Sequence, residues 1–312
     1  MLGTTKVLQL GLIGIGRWGQ NYLRTIRNSS DIQLRRVAGR SHQYSLLEDD
    51  PGIKFTSDWR EVCDDDSLDG VIVATPPSTH YDIVRRALNT GLPILVEKPL
   101  TGSLKECEEL RDHSEHKKIF CMVNFIHIYS KGYQHLKSCL GPDNRIRHVS
   151  TENFASGPYR HDVPVLWDWG SHDVAMCIDL LGEEPSHVEI KKSFFSTSNP
   201  LGKIFTVVLS FPSGISATCN FGNGADFKRR CLAVVYDDGC LVYDGFSNGL
   251  AMKFSAHPEY CAERSYVSQP SPLECSLNEF ARCIRLGEKS HPSLPLAVSV
   301  HTALEAAISI NP

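Results

Sequence analysis

From residue 7 to residue 121, short runs of aliphatic and β-branched residues alternate with stretches whose apolar residues recur every three or four positions. The runs predict strands at 7–13, 32–38, 70–74, 93–96 and 119–123. Tyr22, Leu23 and Ile26 mark the buried side of a helix after the first strand, and Ile83, Val84, Ala87 and Leu88 mark a later one. Ser103, followed three residues on by Glu106, reads as a capping box that opens another helix with Leu104 and Leu110 turned inward. Parallel strands need crossover connections, and this alternation supplies them. The expected fold class is therefore α/β, with a doubly wound parallel sheet over residues 1–123.

Beyond Lys131 the period changes to one helix and then successive strands, at roughly 187–195, 204–211, 215–221, 231–236 and 240–243. Pro212-Ser213-Gly214 and Asp237-Asp238-Gly239 suit tight reversals between antiparallel neighbours. Helical patterns near 273–286 and 296–310 close the chain. Residues 124–312 are thus expected to form an α+β domain with a large, mostly antiparallel sheet open on one face, the terminal helix being able to pack back on the first domain.

The 312 residues carry 32 Lys and Arg against 36 Asp and Glu. With no basic block, this balance argues against nucleic acid or a membrane surface as the partner and for a small molecule. The 11 cysteines are odd in number and scattered, without a CxxC pair, so they read as free thiols in a reducing compartment, and no metal is expected. The first apolar run ends in glycines rather than a cleavage site, and no apolar run reaches the ~18 residues of a membrane helix. A cytoplasmic location is expected.

Gly14-Ile15-Gly16-Arg17-Trp18-Gly19 is GxGxxG set between the first strand and an amphipathic helix. In that context Gly14 allows a tight turn, Gly16 lets the backbone approach a diphosphate, and Gly19 lets helix and strand pack closely. Helix N-terminal amides then face the phosphates. An acidic residue ending the second strand would hold the ribose of NAD(H), but this chain has Gly39-Arg40-Ser41-His42 there. A guanidinium and a hydroxyl suit a 2′-phosphate, so NADP(H) is favoured, with NAD(H) possible; Arg40 stacked on adenine or facing solvent is the plainer alternative.

Two further segments follow later strands: Ala74-Thr75-Pro76-Pro77-Ser78-Thr79-His80 and Glu97-Lys98-Pro99. Together with the glycine turn they resemble the glucose-fructose oxidoreductase / inositol dehydrogenase / MocA family of NAD(P)-dependent dehydrogenases, over nearly the whole chain. The resemblance implies that Gly14, Gly16, Arg17, Trp18, Gly19, Arg40, Ser41, Thr75, Pro76, His80, Glu97 and Lys98 line a Rossmann cofactor site. It implies that Lys98 lies beside nicotinamide and substrate, and a cis bond before Pro99. It also maps a family Asp-x3-His element onto Asp168 and His172, whose spacing of four places both on one helical face. Lys98, Asp168 and His172 then form the expected catalytic triad.

Such a set fits oxidation of a secondary alcohol, in which a proton leaves oxygen as a hydride leaves carbon. An unperturbed imidazole titrates near neutrality, which makes His172 the expected acid/base; Lys98 would polarise the reacting oxygen, and Asp168 would bind a neighbouring hydroxyl. Read alone, Asp168 is equally an N-cap and His172 a core or solvated residue.

The chain departs from relatives that carry a glycine run before the Asp/His element, having Pro158-Tyr159-Arg160-His161-Asp162 there, and from those with an Arg after the sixth strand, having Asn124-Phe125-Ile126-His127. Asn124, Tyr159 and Arg160 join Lys98, Asp168 and His172 as expected substrate residues, and Tyr159, Arg160 and His161 equally suit an exposed loop. Trp167 and Trp169 either stack on a sugar or enter the core. The expected activity is a sugar, polyol or nucleotide-sugar dehydrogenase or reductase; a non-catalytic nicotinamide-binding regulator is the alternative. The resemblance further implies a homo-dimer or homo-tetramer, with Phe205, Val207, Leu209 and Phe211 offering a contact face unless the terminal helices cover it.

Overall fold

A computed structural model of the protein describes residues 6–141, 145–196, 199–246, 250–255, 263–265 and 270–310. The chain divides into two compact units, Met1–Asn124 with Ser276–Val298, and Phe125–Cys275 with Ser299–Pro312.

The first unit runs β1 (Leu8–Ile13), α1 (Gly19–Arg27), β2 (Ile32–Ala38), β3 (Lys54–Thr56), α2 (Arg60–Cys63), β4 (Gly70–Val73), α3 (His80–Thr90), β5 (Ile94–Glu97), α4 (Leu104–Lys117) and β6 (Cys121–Asn124). All six strands are parallel, in the order β3-β2-β1-β4-β5-β6. Strands β4, β5 and β6 are buried at every position, which is why they read as unbroken apolar runs: helices cover both faces. The expected inward residues of α1 and α3 are buried, and Ser103 Oγ accepts from the Glu106 amide at 3.3 Å. Strand order reverses between β1 and β4, and the carboxyl ends around such a switch form the crevice in which open α/β sheets bind ligands.

The second unit begins with α5 (Lys131–Ser138), β7 (Ile146–Ser156) and α6 (Val165–Leu181). Strands β8 (His187–Phe195), β9 (Lys203–Ser210), β10 (Ser216–Gly222), β11 (Gly224–Tyr236), β12 (Gly239–Asp244), β13 (Leu250–Ser255) and β14 (Glu263–Ser265) follow. The order is β14-β13-β12-β11-β7-β10-β9-β8, antiparallel except for β7 with β10. Central β7 escaped the hydrophobic pattern because its inward positions after Val149 are Thr151 and Asn153, polar residues that are nonetheless buried. Helices α7 (Pro272–Leu286) and α8 (Ser293–Ile310) end the chain, and residues 276–298, from within α7 to within α8, group with the first unit. There Phe280 packs on Phe120, and Ser293 Oγ accepts from the Val123 amide at 2.8 Å.

One expectation needs correcting. Phe205, Val207, Leu209 and Phe211 are buried within the monomer and are not a free contact face. Helix α6 packs across β7, β9 and β10. A Cβ added to Gly170 would come within 2.6 Å of the Phe221 ring, which itself packs on Phe205 at 5.9 Å between centroids. The cover is therefore α6 rather than the terminal helices. Phe194, Phe195, Phe227 and Val235 are the apolar side chains this sheet leaves exposed among the described residues.

Candidate active site

In the first unit the glycine turn joins β1 to α1 at the carboxyl edge of the sheet. Gly14 has φ +94°, and a Cβ there would meet the Ala74 carbonyl oxygen at 2.7 Å. At Gly19 a Cβ would stand 1.9 Å from the Gly14 carbonyl oxygen, so α1 starts in contact with the turn itself. Around Gly16 nothing lies within 4 Å of that position. Two of the glycines are demanded by the protein's own packing, then, while the middle one leaves a space. That space lies beside the first turn of α1, where Trp18 provides no side-chain cap. Arg17 and Trp18 are exposed on the same turn.

Arg40 and Ser41 are exposed just past β2, at the start of a 3₁₀ turn over Ser41–Leu47. Gln43, which the motif reading missed, holds this corner: its Oε1 accepts from the Arg40 amide at 2.9 Å and its Nε2 donates to the Ile15 carbonyl at 3.2 Å. Thr75 and Pro76 follow β4, with Thr79 Oγ1 donating to Thr75 Oγ1 at 2.7 Å. His80 has no exposed surface; its Nδ1 lies 3.1 Å from the Pro99 carbonyl and its Nε2 2.9 Å from that of Thr75. It ties the segment after β4 to the segment after β5 and offers nothing to a bound molecule directly.

Glu97 ends β5 and is followed by Lys98, half-buried, with a cis peptide to Pro99. Glu97 Oε1 accepts from Trp18 Nε1 at 2.5 Å, Tyr22 Oη at 2.7 Å and Asn124 Nδ2 at 2.7 Å. The carboxylate thus fastens the glycine turn, α1 and β6 to the residue before Lys98. Two sequence expectations change here. Tyr22, counted only as an apolar position of α1, contributes its hydroxyl, and Asn124, expected to touch substrate, is fully buried with its amide donating to Glu97 and Tyr22.

Burial pushes the Glu97 carboxyl above its usual range, against the pull of its three donors. Burial, then the Glu97 charge, likewise raises the Tyr22 phenol. A carboxyl raised in the folded state adds stability below its unfolded pKa and loses it as pH rises through the folded value. Wild-type stability should therefore decline with pH above about 4.5 over that window. Denaturant titrations of Glu97→Gln across the same range should lack this part of the decline.

In the second unit Asp168 and His172 lie one turn apart near the start of α6. Asp168 retains some side-chain exposure, and His172 is 9% exposed. The His172 ring packs edge-on against His127, centroids 4.7 Å apart. His127 is buried after β6, and nothing in its sequence context marks it as a partner of His172. Arg160 makes a two-pronged contact to Asp162, at 2.9 and 2.6 Å, and its Nη1 is 3.8 Å from Asp168. The hydrogen bond with Asp162 raises the Arg160 guanidinium and lowers the Asp162 carboxyl. Tyr159 is half-buried with its hydroxyl 3.2 Å from Ser156 Oγ, while His161 is exposed. Trp167 packs on His301 at 5.0 Å, which accounts for one of the two tryptophans as packing.

Comparison with known proteins agrees with this architecture. The profile "Oxidoreductase family, NAD-binding Rossmann fold" matches residues 8–125, and "GFO/IDH/MocA C-terminal domain" matches residues 146–242. Rhizopine catabolism protein MocA of Rhizobium meliloti is 25% identical over 97% of this chain and 94% of its own length. A scyllo-inositol 2-dehydrogenase (NAD(+)) of Bacillus subtilis (strain 168) is 27% identical over 97% of this chain and 92% of its own. A crystal structure from Magnetospirillum magnetotacticum MS-1 is 31% identical, with TM-score 0.84, over 97% of this chain and 100% of that one. These matches define an oxidoreductase family with an NAD-binding Rossmann fold. The chain belongs to the GFO/IDH/MocA family.

Proposed function

We propose that the protein transfers hydride between a nicotinamide and a secondary alcohol or ketone carbon of a sugar, polyol or nucleotide sugar. The observation that carries this reading is the space at Gly16, framed by glycines that packing demands, on a chain that keeps Lys98, Asp168 and His172. Kinship with a scyllo-inositol dehydrogenase supports a polyhydroxyl substrate.

The residues fit a nicotinamide dinucleotide: the Gly16 cradle takes the diphosphate, α1 contributes its N-terminal amides, and Arg40 and Ser41 take the adenosine ribose end. Thr75, Pro76, Glu97 and Lys98 hold the nicotinamide end, with His80 keeping their two segments together. When bound, the cofactor supplies the acceptor or donor for hydride. The protein's own task is the proton and the geometry. Lys98 polarises the reacting oxygen and steadies the charge that develops on it. His172 moves the proton, with His127 setting its ring plane. Asp168 accepts from a neighbouring hydroxyl, and Arg160, already shared with Asp162, tempers its charge. Tyr159 completes the substrate contacts.

NADP(H) is the preferred cofactor, because β2 ends in an exposed guanidinium and hydroxyl with no carboxylate. Arg40→Ala should weaken NADP(H) about tenfold or more, as loss of a charge-assisted phosphate contact does, and leave NAD(H) nearly unchanged. Equal losses in fluorescence titrations with the two nucleotides would remove the argument. We place the enzyme in the cytosol, where the ten described cysteines stay free, as a homo-dimer or homo-tetramer paired through the face of the second sheet opposite α6. Among the described residues no helix is long and apolar enough to cross a membrane. A screen of sugars, polyols and nucleotide sugars, following nicotinamide absorbance with each cofactor, tests the reading. Activity with none, despite tight nucleotide binding, would favour the regulator.

A further inference from the structure

We infer that Glu279, Cys283 and His291, in the first unit, form a binding site for a divalent cation of zinc type that is separate from the proposed chemistry. Glu279 and Cys283 are four residues apart on α7 and share one face, and His291 comes from the segment leading into α8. Cys283 Sγ lies 3.4 Å from Glu279 Oε1, and His291 Nε2 lies 3.8 Å from the same oxygen. One donor atom from each residue falls within 4.8 Å of the other two. Tetrahedral zinc with bonds of about 2.0 to 2.3 Å sets adjacent donors roughly 3.3 to 3.6 Å apart. Two edges of the site are near that size, and small side-chain rotations close the third.

The surroundings suit a cation. Cys283 and His291 are buried, His291 edge-on to Phe120, whereas Glu279 keeps a solvent-facing side that serves as the entry path. The guanidinium of Arg282 already lies in the mouth, donating to Glu279 Oε1 at 2.8 Å with Cys283 Sγ at 3.2 Å. It is a positive charge held between a carboxylate and a thiol. Arg282 is half exposed and has Glu288 3.8 Å away on its other side, so it can give way to an ion without being stranded.

An outer shell is also present. His291 Nδ1 lies 2.8 Å from Ser293 Oγ, which accepts from the Val123 amide of β6. Nδ1 also accepts from the Ser293 amide at 3.2 Å, so in the free ring the proton is on Nε2, facing Glu279; an ion on Nε2 shifts that proton to Nδ1, where Ser293 Oγ accepts it once the amide contact opens. Binding releases one proton to solvent, from the Cys283 thiol, and leaves the fourth position to water. Thiolate, imidazole and carboxylate together favour zinc over magnesium or calcium. The ion would staple α7 and the α8 approach to the edge strand β6.

Cobalt(II), added to chelator-treated full-length protein, reports the site by visible ligand-field bands and a near-ultraviolet thiolate charge-transfer band. One equivalent should bind to wild type, be displaced by zinc and raise Tm. Cys283→Ser should lose the charge-transfer band, His291→Gln should weaken binding at least about 100-fold, the upper end for loss of outer-shell support alone, and Arg282→Gln should tighten it. Arg282 is exposed, so that variant should fold whatever the fate of the others. The inference is overturned if wild type and Arg282→Gln both lack the spectrum. It is equally overturned if the band survives Cys283→Ser and disappears instead with Cys139→Ser, an exposed thiol beside His135.

Discussion

Replacing Lys98 by alanine should lower kcat by about a thousandfold, within the range for loss of a group acting on the reacting oxygen, while nucleotide affinity stays within a few fold. The asymmetry follows from where the side chain stands. The cofactor's diphosphate and ribose are held by the Gly16 cradle, α1 and the Arg40 corner, none of which depends on Lys98. The backbone of residue 98 is positioned from behind by Glu97, whose three donors come from α1, its approach and β6. Removing the ammonium should therefore leave the scaffold in place and strip only the interaction that strengthens as charge develops. Lys98→Arg should not restore the rate, because a planar, always charged fork cannot replace a compact ammonium. Steady-state kinetics on the best substrate from the screen, with separate nucleotide titrations, decides this; a Lys98→Ala enzyme within tenfold of wild type would remove Lys98 from the chemistry.

Alanine at Gly16 and at Gly19 should fail in opposite ways. At Gly16 a methyl enters open space, so folding is untouched, yet the methyl fills the room a diphosphate needs. Nucleotide affinity should fall about a hundredfold, as expected when ~3 kcal/mol of contacts is lost, with Tm within a degree or two of wild type. At Gly19 the methyl is driven to 1.9 Å from a backbone carbonyl that cannot retreat without moving the turn. The cost should be about 3 kcal/mol, the upper end for overpacking, and Tm should drop by roughly 4 to 5 °C at this chain length. Calorimetry beside nucleotide titration separates the two. A stable, tight-binding Gly16→Ala protein would mean that the space serves no ligand.

Strands β1, β4, β5 and β6 could be read from sequence because they are buried at nearly every position and so declare themselves as apolar runs, whereas three-residue β3, mostly not buried, carries no such run. The glycine turn could be read because two of its glycines answer steric demands within the chain. The spacing of Asp168 and His172 predicted one helical face, and α6 carries them so. What stayed hidden was polar chemistry inside elements that pattern treats as core. Tyr22 sits at an apolar position of α1 yet spends its hydroxyl on Glu97. Thr151 and Asn153 conceal a central strand for the same reason. His80 looked like a ligand contact because motifs record which residue recurs, not which way it faces. Phe205 to Phe211 alternate correctly for a strand, but alternation does not say which cover lies on the apolar side. Glu279, Cys283 and His291, the proposed cation ligands, have no familiar metal spacing and include no cysteine pair.

The most direct measurement is a crystal structure of the protein with NADP+ and the best alcohol substrate from the screen. It should show the diphosphate against Gly16 and the reacting hydroxyl within hydrogen-bonding reach, about 2.6 to 3.2 Å, of Lys98 Nζ or a His172 ring nitrogen. Asp168 should be bonded to an adjacent hydroxyl of the same molecule. A nucleotide bound elsewhere, or a substrate that leaves Lys98, Asp168 and His172 untouched, would contradict the account.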